Sequence, residues 1–417
     1  MGMAALALLL AGAAPPCAAL ARQGTPTLQI LSAAIEDGAC VVRAMARPRP
    51  RSAIRIELRL PEAARWSGRY YQMGNGGFAG TIPSAVLAEA ARRGDVAAAT
   101  DTGHAGSGFD ARWAKERPDL ILDYAWRSIG DTPAVARRII AAYYGRPARR
   151  RYFMGCSFGG RQALVAGARW PAEWDGLIVG APAVRWPATL AAFATIAASL
   201  DRPGARFTAA DVARWSIAAR ADPRWLARCR AGPLCLSKPQ RHALMTIVQS
   251  GYPLVTADAG EWARWILSRN ASPPSQRAFA VQARRNLFPT MRQDRLRQTF
   301  AIGSLAPFAR RGGRVIAYVG DADAVTPPEV GLTELRARSA ALGGALRLFV
   351  VPGMAHCQGG SAPHAFGQSL AAPSFRDDAV HDIRRALETW VEQGRVPERL
   401  IAATPKRNDR FVTLRAE

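Results

Sequence analysis

A serine flanked by glycines stands where the chain is expected to turn sharply, and this limits the folds that the chain can adopt. The apolar run Tyr152–Met154 is typical of a strand, and residues 161–169 have a helical pattern. Residues 155–159, which read GCSFG, lie between them. A serine at a tight strand-to-helix turn is exposed above a sheet, where its hydroxyl can act as a nucleophile. Glycines suit this strained turn because larger side chains would clash.

A second block, about 200 residues further along, sets a histidine beside a cysteine. It follows the apolar run Leu346–Val351 and reads PGMAHC over residues 352–357. A serine hydroxyl is a weak nucleophile alone and needs an adjacent base. If the cysteines of the two blocks are joined, Ser157 and His356 come together, because a disulfide needs its Cα atoms about 4.4–6.8 Å apart.

The acid that would orient the base is expected in a third loop, which offers two aspartates. Asp321 and Asp323 follow the apolar run Val315–Val319. A carboxylate there would accept a hydrogen bond from the imidazole and fix its tautomer. Serine, aspartate and histidine would then follow one another along the chain, which is a known order for such a triad. Four other histidines compete with His356; they are His104, His242, His364 and His381.

Backbone N–H groups are expected to stabilise the negative charge on an attacked carbonyl oxygen. One donor is the N–H of Phe158, the residue after the serine. The other is expected from the glycine loop, residues 74–78 (GNGGF), because only glycine lets a backbone approach so closely. Gly76 and Gly77 are equal candidates. A plain loop is the alternative; a phosphate-binding loop is disfavoured because no lysine with serine or threonine follows.

These blocks resemble the tannase and feruloyl esterase family. The stretches that carry the resemblance are GCSFGGRQALVAGARWPAEWDGLIVGAPA from residue 155 and GMAHCQGG from residue 353. The resemblance extends from about Cys17 to the C-terminal helix and is weakest between about residues 185 and 304. Members of this family are serine esterases in which a disulfide joins the neighbours of the catalytic serine and histidine. The resemblance therefore implies a Cys156–Cys357 disulfide beside a triad that contains Ser157 and His356.

The resemblance also bears on the acid, on His104 and on metals. The family places its acid four residues before a Pro-Pro pair, which implies Asp323 and leaves Asp321 as a turn or cap residue. His104 lies in a segment similar to one near the family's site, which implies a supporting role rather than a catalytic one. Many relatives bind calcium in the lid, but residues 211–235 contain two aspartates only. Calcium needs about 6–8 oxygen ligands, so neither a metal nor another cofactor is expected.

Apolar runs alternate with helical patterns along the chain, which is typical of a mostly parallel sheet covered on both faces. With the resemblance, this predicts an α/β-hydrolase fold with an inserted, mainly helical lid domain. Residues 17–183 and 305–417 would form the core, and residues 184–304 the lid. The predicted strands are Ile54–Leu60, Tyr70–Met73, Val96–Ala99, Tyr152–Met154, Leu177–Val179, Val315–Val319 and Leu346–Val351, and the predicted helices include Ala85–Arg93, Pro133–Tyr143 and Ala379–Gln393.

The chain is strongly basic, with 56 lysine and arginine residues against 32 aspartate and glutamate residues and a formal net charge of +24. The charges are scattered, and no zinc-finger spacing or disordered basic tail accompanies them, which disfavours a nucleic-acid partner. A solvated surface is the favoured interpretation. Attraction of anionic substrates or surfaces is the alternative.

The N-terminus is typical of an export signal. Residues 1–16 combine the apolar run Ala4–Leu10 with a small-residue cleavage pattern, although a basic start is missing. An alanine-rich flexible start is the alternative, and a lipid anchor at Cys17 is disfavoured by the two prolines before it. No later stretch of 18 apolar residues suggests a membrane-spanning segment. We therefore expect a periplasmic or secreted protein.

Six cysteines support export, since an even number suits disulfides in an oxidising compartment. Six cysteines allow fifteen pairings. Cys229 and Cys235 enclose five residues and could pair locally. The family resemblance implies Cys17–Cys40 beside Cys156–Cys357. Reduced, buried thiols in a cytosolic protein are the alternative.

By resemblance, the chain is expected to be an exported serine carboxylesterase that forms an acyl-enzyme on Ser157. Its expected substrates are small esters of aromatic acids, of the gallate, hydroxycinnamate or phthalate-monoester type. A general small-ester esterase is one alternative. A non-catalytic polyphenol- or carbohydrate-binding protein on the same fold is another. No feature of the sequence specifies an oligomeric state.

Overall fold

The computed structural model describes residues 16–205, 235, 237–242, 274–323, 325–326, 328–405 and 409–417. Its centre is a sheet of nine strands: β1 (Leu28–Glu36), β2 (Ala39–Ala46), β3 (Ile54–Leu60), β4 (Arg69–Met73), β5 (Val96–Thr100), β6 (Arg150–Cys156), β7 (Gly176–Gly180), β8 (Arg314–Gly320) and β9 (Leu346–Val351). The strand order is β1-β2-β3-β5-β4-β6-β7-β8-β9. A separate antiparallel pair is formed by β10 (Arg399–Ala403) and β11 (Phe411–Arg415).

The sheet is antiparallel at one edge and parallel over the rest of its width. β1, β2, β3 and β5 pair antiparallel in that order, and the pairs from β5 through β4, β6, β7 and β8 to β9 are parallel. Parallel strands are buried on both faces, which is why β5 and β7 read as unbroken runs of apolar and small residues. Because these strands are parallel, the loops after β4, β6, β8 and β9 all lie at the carboxyl ends of the strands, on the same side of the sheet.

Helices cover both faces of this sheet. One face packs on α1 (Ser84–Arg92) and α11 (Ile383–Gln393). The other packs on α3 (Ser128–Tyr144), α4 (Phe158–Arg169), α9 (Ala306–Arg310) and α10 (Pro328–Ala341). A short helix, α2 (Pro118–Leu122), runs into α3 through a π-helical turn, Asp123–Arg127. In the described part of the chain, none of the helices combines the length and apolar character needed to cross a bilayer.

The described residues between β7 and β8 include four further helices. They are α5 (Trp186–Leu200), α6 (Pro274–Gln282), α7 (Phe288–Thr290) and α8 (Gln293–Thr299), with a π-helical turn at Ala283–Leu287 between α6 and α7. Their apolar side chains form one cluster with Phe78, Tyr124 and Phe158 of the core. Much of the predicted lid, residues 184–304, lies outside the described residues, so its boundaries stay a prediction.

The seven predicted strands are confirmed, each within three residues at its ends, and the mostly parallel sheet with its helices confirms the α/β-hydrolase architecture. The helix predicted from residue 379 instead begins at Ile383, because Asp382 caps it by accepting from the N–H groups of Arg384 and Arg385. The helix predicted from Pro133 begins earlier, with this proline inside it. β1, β2, β10 and β11 were not predicted.

Candidate active site

Ser157 stands on the sharp turn between β6 and α4. Its backbone has φ 61° and ψ −126°, a strained conformation for a residue with a side chain. The turn is held because the Ser157 N–H donates to the Gly180 carbonyl over 2.9 Å. A Cβ atom on Gly155 would lie 2.4 Å from the carbonyl carbon of Gly159, and one on Gly160 would lie 2.4 Å from the carbonyl oxygen of Gly180. The turn therefore has the geometry of a nucleophile elbow, and glycines are required around it.

His356 and Asp323 meet at the ends of neighbouring strands. The Nδ1 atom of His356 lies 2.7 Å from the Oδ2 atom of Asp323, and the aspartate is fully buried. The other carboxylate oxygen accepts from the N–H groups of Val325 and Thr326 over 2.7 and 3.0 Å. The Thr326 hydroxyl donates to Oδ2 over 2.8 Å. The carboxylate is thus saturated and oriented, and sequence reasoning missed the contribution of Thr326.

Asp321 has a different partner. Its side chain is exposed, and its Oδ1 atom accepts from the N–H of Gly353 over 2.6 Å. Gly353 begins the loop that carries His356. Asp321 is therefore a brace between the loops after β8 and β9, which differs from the turn or cap residue that the sequence predicts.

Two of the predicted disulfides are present. Cys156 and Cys357 are bonded with a Cα–Cα distance of 5.9 Å, and Cys17 and Cys40 with one of 5.5 Å. The first bond joins the residue before Ser157 to the residue after His356, so it ties the elbow to the histidine loop. The predicted Cys229–Cys235 pair includes a residue, Cys229, outside the described residues, and it stays a prediction.

The glycine loop packs directly on the elbow. A Cβ atom on Gly74 would lie 2.7 Å from the Cα atom of Gly159, so the two backbones are in contact. Three N–H groups of the loop donate within the protein: Gly74 to the Met154 carbonyl, Asn75 to the Gln162 side chain and Phe78 to the Gly108 carbonyl. The N–H groups of Gly76 and Gly77 are therefore the candidates to face a ligand. The first-turn N–H groups of α4, including that of Phe158, have no acceptor within their own helix.

Open space borders Gly76, whereas Gly77 is enclosed. Among the described residues, and apart from Gly76 and its two chain neighbours, no atom lies within 4 Å of the position that a Cβ atom on Gly76 would occupy. A Cβ atom on Gly77 would lie 2.4 Å from the Gly108 carbonyl oxygen and 3.1 Å from the Phe279 ring. Gly77 also has a positive φ of 54°, which favours glycine. The loop thus needs glycine at 77 for its own shape, and its open side is at 76.

His104 lies behind this loop and is buried. Its Nε2 atom lies 2.9 Å from the Phe78 carbonyl oxygen, and its Nδ1 atom lies 3.2 Å from the Thr102 hydroxyl. A carbonyl can only accept, so Nε2 carries the proton and Nδ1 accepts from Thr102. Its ring stacks on Trp113 at 3.9 Å. His104 therefore supports the glycine loop.

Two more of the competing histidines have partners elsewhere. The Nδ1 atom of His364 lies 2.8 Å from the Ala362 carbonyl oxygen, and that of His381 lies 2.7 Å from the Asp378 carboxylate. His242 lies on a short helical segment among the described residues. His356 is the histidine that the structure brings to Asp323.

The buried state of His104 leads to a prediction about acid stability. Burial lowers the pKa of His104 from 6.5 to about 4. The unfolded chain therefore binds this proton first, and the stability contributed by the neutral imidazole is complete above pH 6.5 and lost as the pH falls to about 4. The loss amounts to about 3 kcal/mol. Urea titrations at pH 7 and pH 4 give the free energy of unfolding at each pH. We expect this free energy to fall by about 3 kcal/mol less in His104→Gln than in the wild type.

The comparison with His104→Gln isolates this one group. Burial raises the pKa values of Asp95 and Asp101 to about 6. Protonation of these carboxyls therefore raises the free energy of unfolding in the same pH range in which protonation of His104 lowers it. They are common to both proteins, so their contribution cancels in the difference. Equal pH dependence of unfolding in the two proteins would contradict the assignment of a neutral, buried His104.

A cleft opens beside the disulfide and the start of the glycine loop. It is lined chiefly by Met73, Gly74, Met154, Cys156, Gln358 and Leu370. The cleft continues past Leu370 towards Arg93 and Arg384. A molecule in it would lie next to the residues that flank Ser157, with methionine and leucine side chains for apolar contact.

Metal binding is not supported by the described side chains. Among them, no group of three or more His, Cys, Asp or Glu residues is arranged to hold a metal ion. Residues 211–234, a segment of the predicted lid that contains two aspartates, lie outside the described residues. The expected absence of calcium therefore stays a prediction.

Comparison with known proteins identifies the family. The sequence model of "Tannase and feruloyl esterase" matches residues 40–222 and 291–416. An uncharacterized esterase of Xanthomonas campestris is 30% identical, over 89% of this chain and 78% of the relative. Feruloyl esterase C of Talaromyces stipitatus is 24% identical, over 85% of this chain and 76% of the relative.

Solved structures agree in fold. Feruloyl esterase B from Aspergillus oryzae has a TM-score of 0.80 at 20% identity, covering 96% of this chain and 95% of its own. Tannin acyl hydrolase from Aspergillus niger has a TM-score of 0.60 at 19% identity, covering 97% and 90%. At such identities the likeness concerns the fold alone, whereas the family model covers well over half of the sequence. The chain therefore belongs to the tannase and feruloyl esterase family and is a carboxylic ester hydrolase.

Proposed function

We propose that the chain is an exported serine esterase that hydrolyses esters of aromatic acids through an acyl-enzyme on Ser157. The observation that carries the proposal is the 2.7 Å contact between His356 and the buried Asp323, joined to the elbow of Ser157 by the Cys156–Cys357 disulfide. This arrangement has the parts of a nucleophile, a base and an orienting acid in the order that an α/β-hydrolase uses.

In the proposed reaction, Ser157 Oγ attacks the ester carbonyl while His356 Nε2 takes the hydroxyl proton. Nδ1 of His356 keeps its own proton and donates it in a hydrogen bond to the Asp323 carboxylate, which stabilises the imidazolium that forms. The tetrahedral intermediate collapses when the bond to the alkoxy oxygen breaks, and His356 gives its proton to the departing alcohol. Water then attacks the acyl-enzyme while His356 takes one of its protons. The bond between the acyl carbon and Ser157 Oγ breaks, His356 returns the proton to Oγ, and the acid is released.

The oxyanion of each tetrahedral intermediate needs two fixed donors. We assign one to the Phe158 N–H at the start of α4 and the other to the glycine loop, at Gly76 or Gly77. Supporting this assignment, the other loop N–H groups are already bonded, and open space borders Gly76. Preorganised backbone donors stabilise the transition state without reorganisation at the moment of reaction.

The relatives and the cleft support the proposed substrate class. Several relatives are named feruloyl esterases. The cleft beside Cys156 offers Met73, Met154 and Leu370, and thioether groups make favourable contacts with aromatic rings. We assign one arm of the ester to this cleft. Gallate, hydroxycinnamate and phthalate-monoester types all contain an aromatic ring that these side chains could contact.

Export is part of the same proposal. Two disulfides join residues 23 and 201 positions apart in the described chain, and such bonds persist in oxidising compartments. The signal-like residues 1–15 lie outside the described residues. We assign the enzyme to the periplasm or the cell exterior.

The experiment that tests the proposal has two readouts. Hydrolysis of methyl ferulate, methyl gallate, a terephthalate monoester and 4-nitrophenyl acetate measures kcat/KM, and a fluorophosphonate probe followed by peptide mapping locates the nucleophile. We expect one aromatic ester to exceed 4-nitrophenyl acetate in kcat/KM and the probe to label Ser157. A preference for the acetate would indicate a general small-ester esterase. Binding of polyphenols without turnover or labelling would indicate the non-catalytic alternative.

The disulfide beside the site leads to a further prediction. Cys156→Ala/Cys357→Ala is expected to lower kcat about 10- to 100-fold, because displacements near 1 Å cost about 10²-fold and the histidine loop loses its tether. Cys17→Ala/Cys40→Ala is the matched control, since it removes a disulfide far along the chain from the triad. Both variants lose stability, roughly 5 and 3 kcal/mol for loops of 201 and 23 residues. The measurement is kcat at a temperature where thermal scans show each variant folded; equal kcat in both variants would contradict a catalytic tether.

A further inference from the structure

Tyr124 contacts both proposed halves of the oxyanion hole at once. Its hydroxyl donates to the Gly77 carbonyl oxygen over 2.6 Å. Its ring stacks on the ring of Phe158, with centroids 4.2 Å apart and planes within 7°. The side chain is fully buried, and burial raises the pKa of its phenol well above the ordinary value, so the hydroxyl stays a donor. One side chain therefore joins the glycine loop to the first residue of α4.

His104 holds the next carbonyl of the same loop. While Tyr124 binds the carbonyl of Gly77, Nε2 of His104 donates to that of Phe78 over 2.9 Å. The two rings are also in contact, with centroids 5.8 Å apart. Two successive carbonyls of the glycine loop are thus fixed by hydrogen bonds from buried side chains. Fixing a carbonyl fixes the plane of its peptide, and so limits the rotation of the peptides before it.

The position of Tyr124 is itself set by the helix that carries the elbow. Tyr124 lies in the π-helical turn at residues 123–127, in which the regular helical hydrogen bonds are displaced. The buried guanidinium of Arg161, on α4, donates to the Ala125 carbonyl in this turn over 3.0 Å and to the Phe300 carbonyl over 2.7 Å. These contacts link α4 to the π-helical turn and the turn to the glycine loop, and the glycine loop packs back on α4.

We propose that Tyr124 and His104 are positioning residues that set the separation and direction of the two backbone donors of the oxyanion hole. This rests on the proposed function, because the donors matter only if an oxyanion forms. The hydroxyl of Tyr124 holds the loop donor through Gly77, and its ring holds Phe158. A π-helical turn is a rare irregularity that is frequently found at functional sites, and this one carries the side chain that lies between the loop and the elbow.

Tyr124→Phe is the direct test, because it removes one hydroxyl and leaves the ring stacked on Phe158. Loss of a whole oxyanion donor costs about 10²- to 10³-fold in kcat, and a donor that is present but misdirected should cost about 10-fold. KM is expected to stay within about twofold, since the interaction strengthens in the transition state alone. The inhibition constant of a trifluoromethyl ketone, whose adduct carries an oxyanion, should rise by the same factor as kcat falls.

Tyr71→Phe is the matched control. The Tyr71 hydroxyl is buried and donates to Glu388 over 2.6 Å, so its removal deletes a hydrogen bond of the same length on the α11 side of the sheet. We expect a loss of thermal stability comparable to that of Tyr124→Phe and no change in kcat. Labelling by a fluorophosphonate at one site per chain in all three proteins would show that Ser157 is intact.

His104 provides a second, independent variant pair. His104→Gln can keep a donor to the Phe78 carbonyl, whereas His104→Leu cannot. We expect His104→Leu to lose kcat about 10-fold with little change in KM, and His104→Gln to recover most of it. Wild-type kcat in folded Tyr124→Phe, or equal kcat in the two His104 variants, would overturn the proposal. An inactive wild type would instead refute the proposed esterase function, so the two failures are distinguishable.

Discussion

Replacing Ser157 with alanine is expected to lower kcat for an aromatic methyl ester by about 10⁶-fold, since removal of a triad nucleophile costs about as much as removal of the whole triad. The base and the acid have no role without an oxygen to activate, so what remains is binding and the oxyanion hole, about 10³–10⁴ over water. The measurement is release of the free acid, followed by chromatography over hours, with enzyme prepared on unused resin to exclude wild-type carry-over.

The fold should survive this substitution. Alanine keeps the Cβ atom and takes the same strained backbone, with φ near 61°, that Ser157 already has, and the bond from its N–H to the Gly180 carbonyl is unaffected. We expect a thermal midpoint within a few degrees of the wild type and no reaction with a fluorophosphonate. Ser304→Ala, which changes a serine two residues before α9, is the control and should keep full activity. Near-native turnover by purified Ser157→Ala would move the nucleophile elsewhere.

The features that sequence reasoning identified are those encoded over a few adjacent residues. The elbow requires glycine at 155 and 159–160 because the backbones of β6, β7 and α4 touch there, and this need is written directly into the motif. Buried parallel strands such as Gly176–Gly180 are apolar throughout, so they stand out in the sequence. The edge strand Leu28–Glu36 has mostly exposed or half-buried residues and gives no comparable signal.

The family resemblance implies a supporting role for His104, but other supporting residues could not be predicted because their contacts join distant parts of the chain. Tyr124 reaches a carbonyl 47 residues away, and its orientation depends on a π-helical turn that no periodicity announces. Asp321 bonds a backbone N–H 32 residues away, which a local turn rule does not anticipate. Thr326 is close in sequence to Asp323, and its place three residues after that acid was an available signal. Contacts such as those of Tyr124 and Asp321 become recognisable only in the folded structure.

The choice between the two aspartates can be decided by what an amide would do at each position. At Asp323, one oxygen accepts from the N–H groups of Val325 and Thr326, so an asparagine would keep its carbonyl there. Its NH2 group would then face Nδ1 of His356, where Oδ2 now lies 2.7 Å away. An NH2 group can only donate, so Nδ1 would have to accept and the ring proton would move to Nε2.

A histidine protonated at Nε2 cannot take the proton of Ser157, so Asp323→Asn is expected to lower kcat by about 10⁴-fold. Asp321→Asn is the matched control, because its carbonyl can still accept from the Gly353 N–H and its side chain is exposed. It should keep kcat within about threefold. The measurement is kcat for methyl ferulate or the best ester of the panel, with thermal midpoints to confirm that both variants are folded. If the large loss occurred in Asp321→Asn instead, the role of the triad acid would have to be reassigned to Asp321.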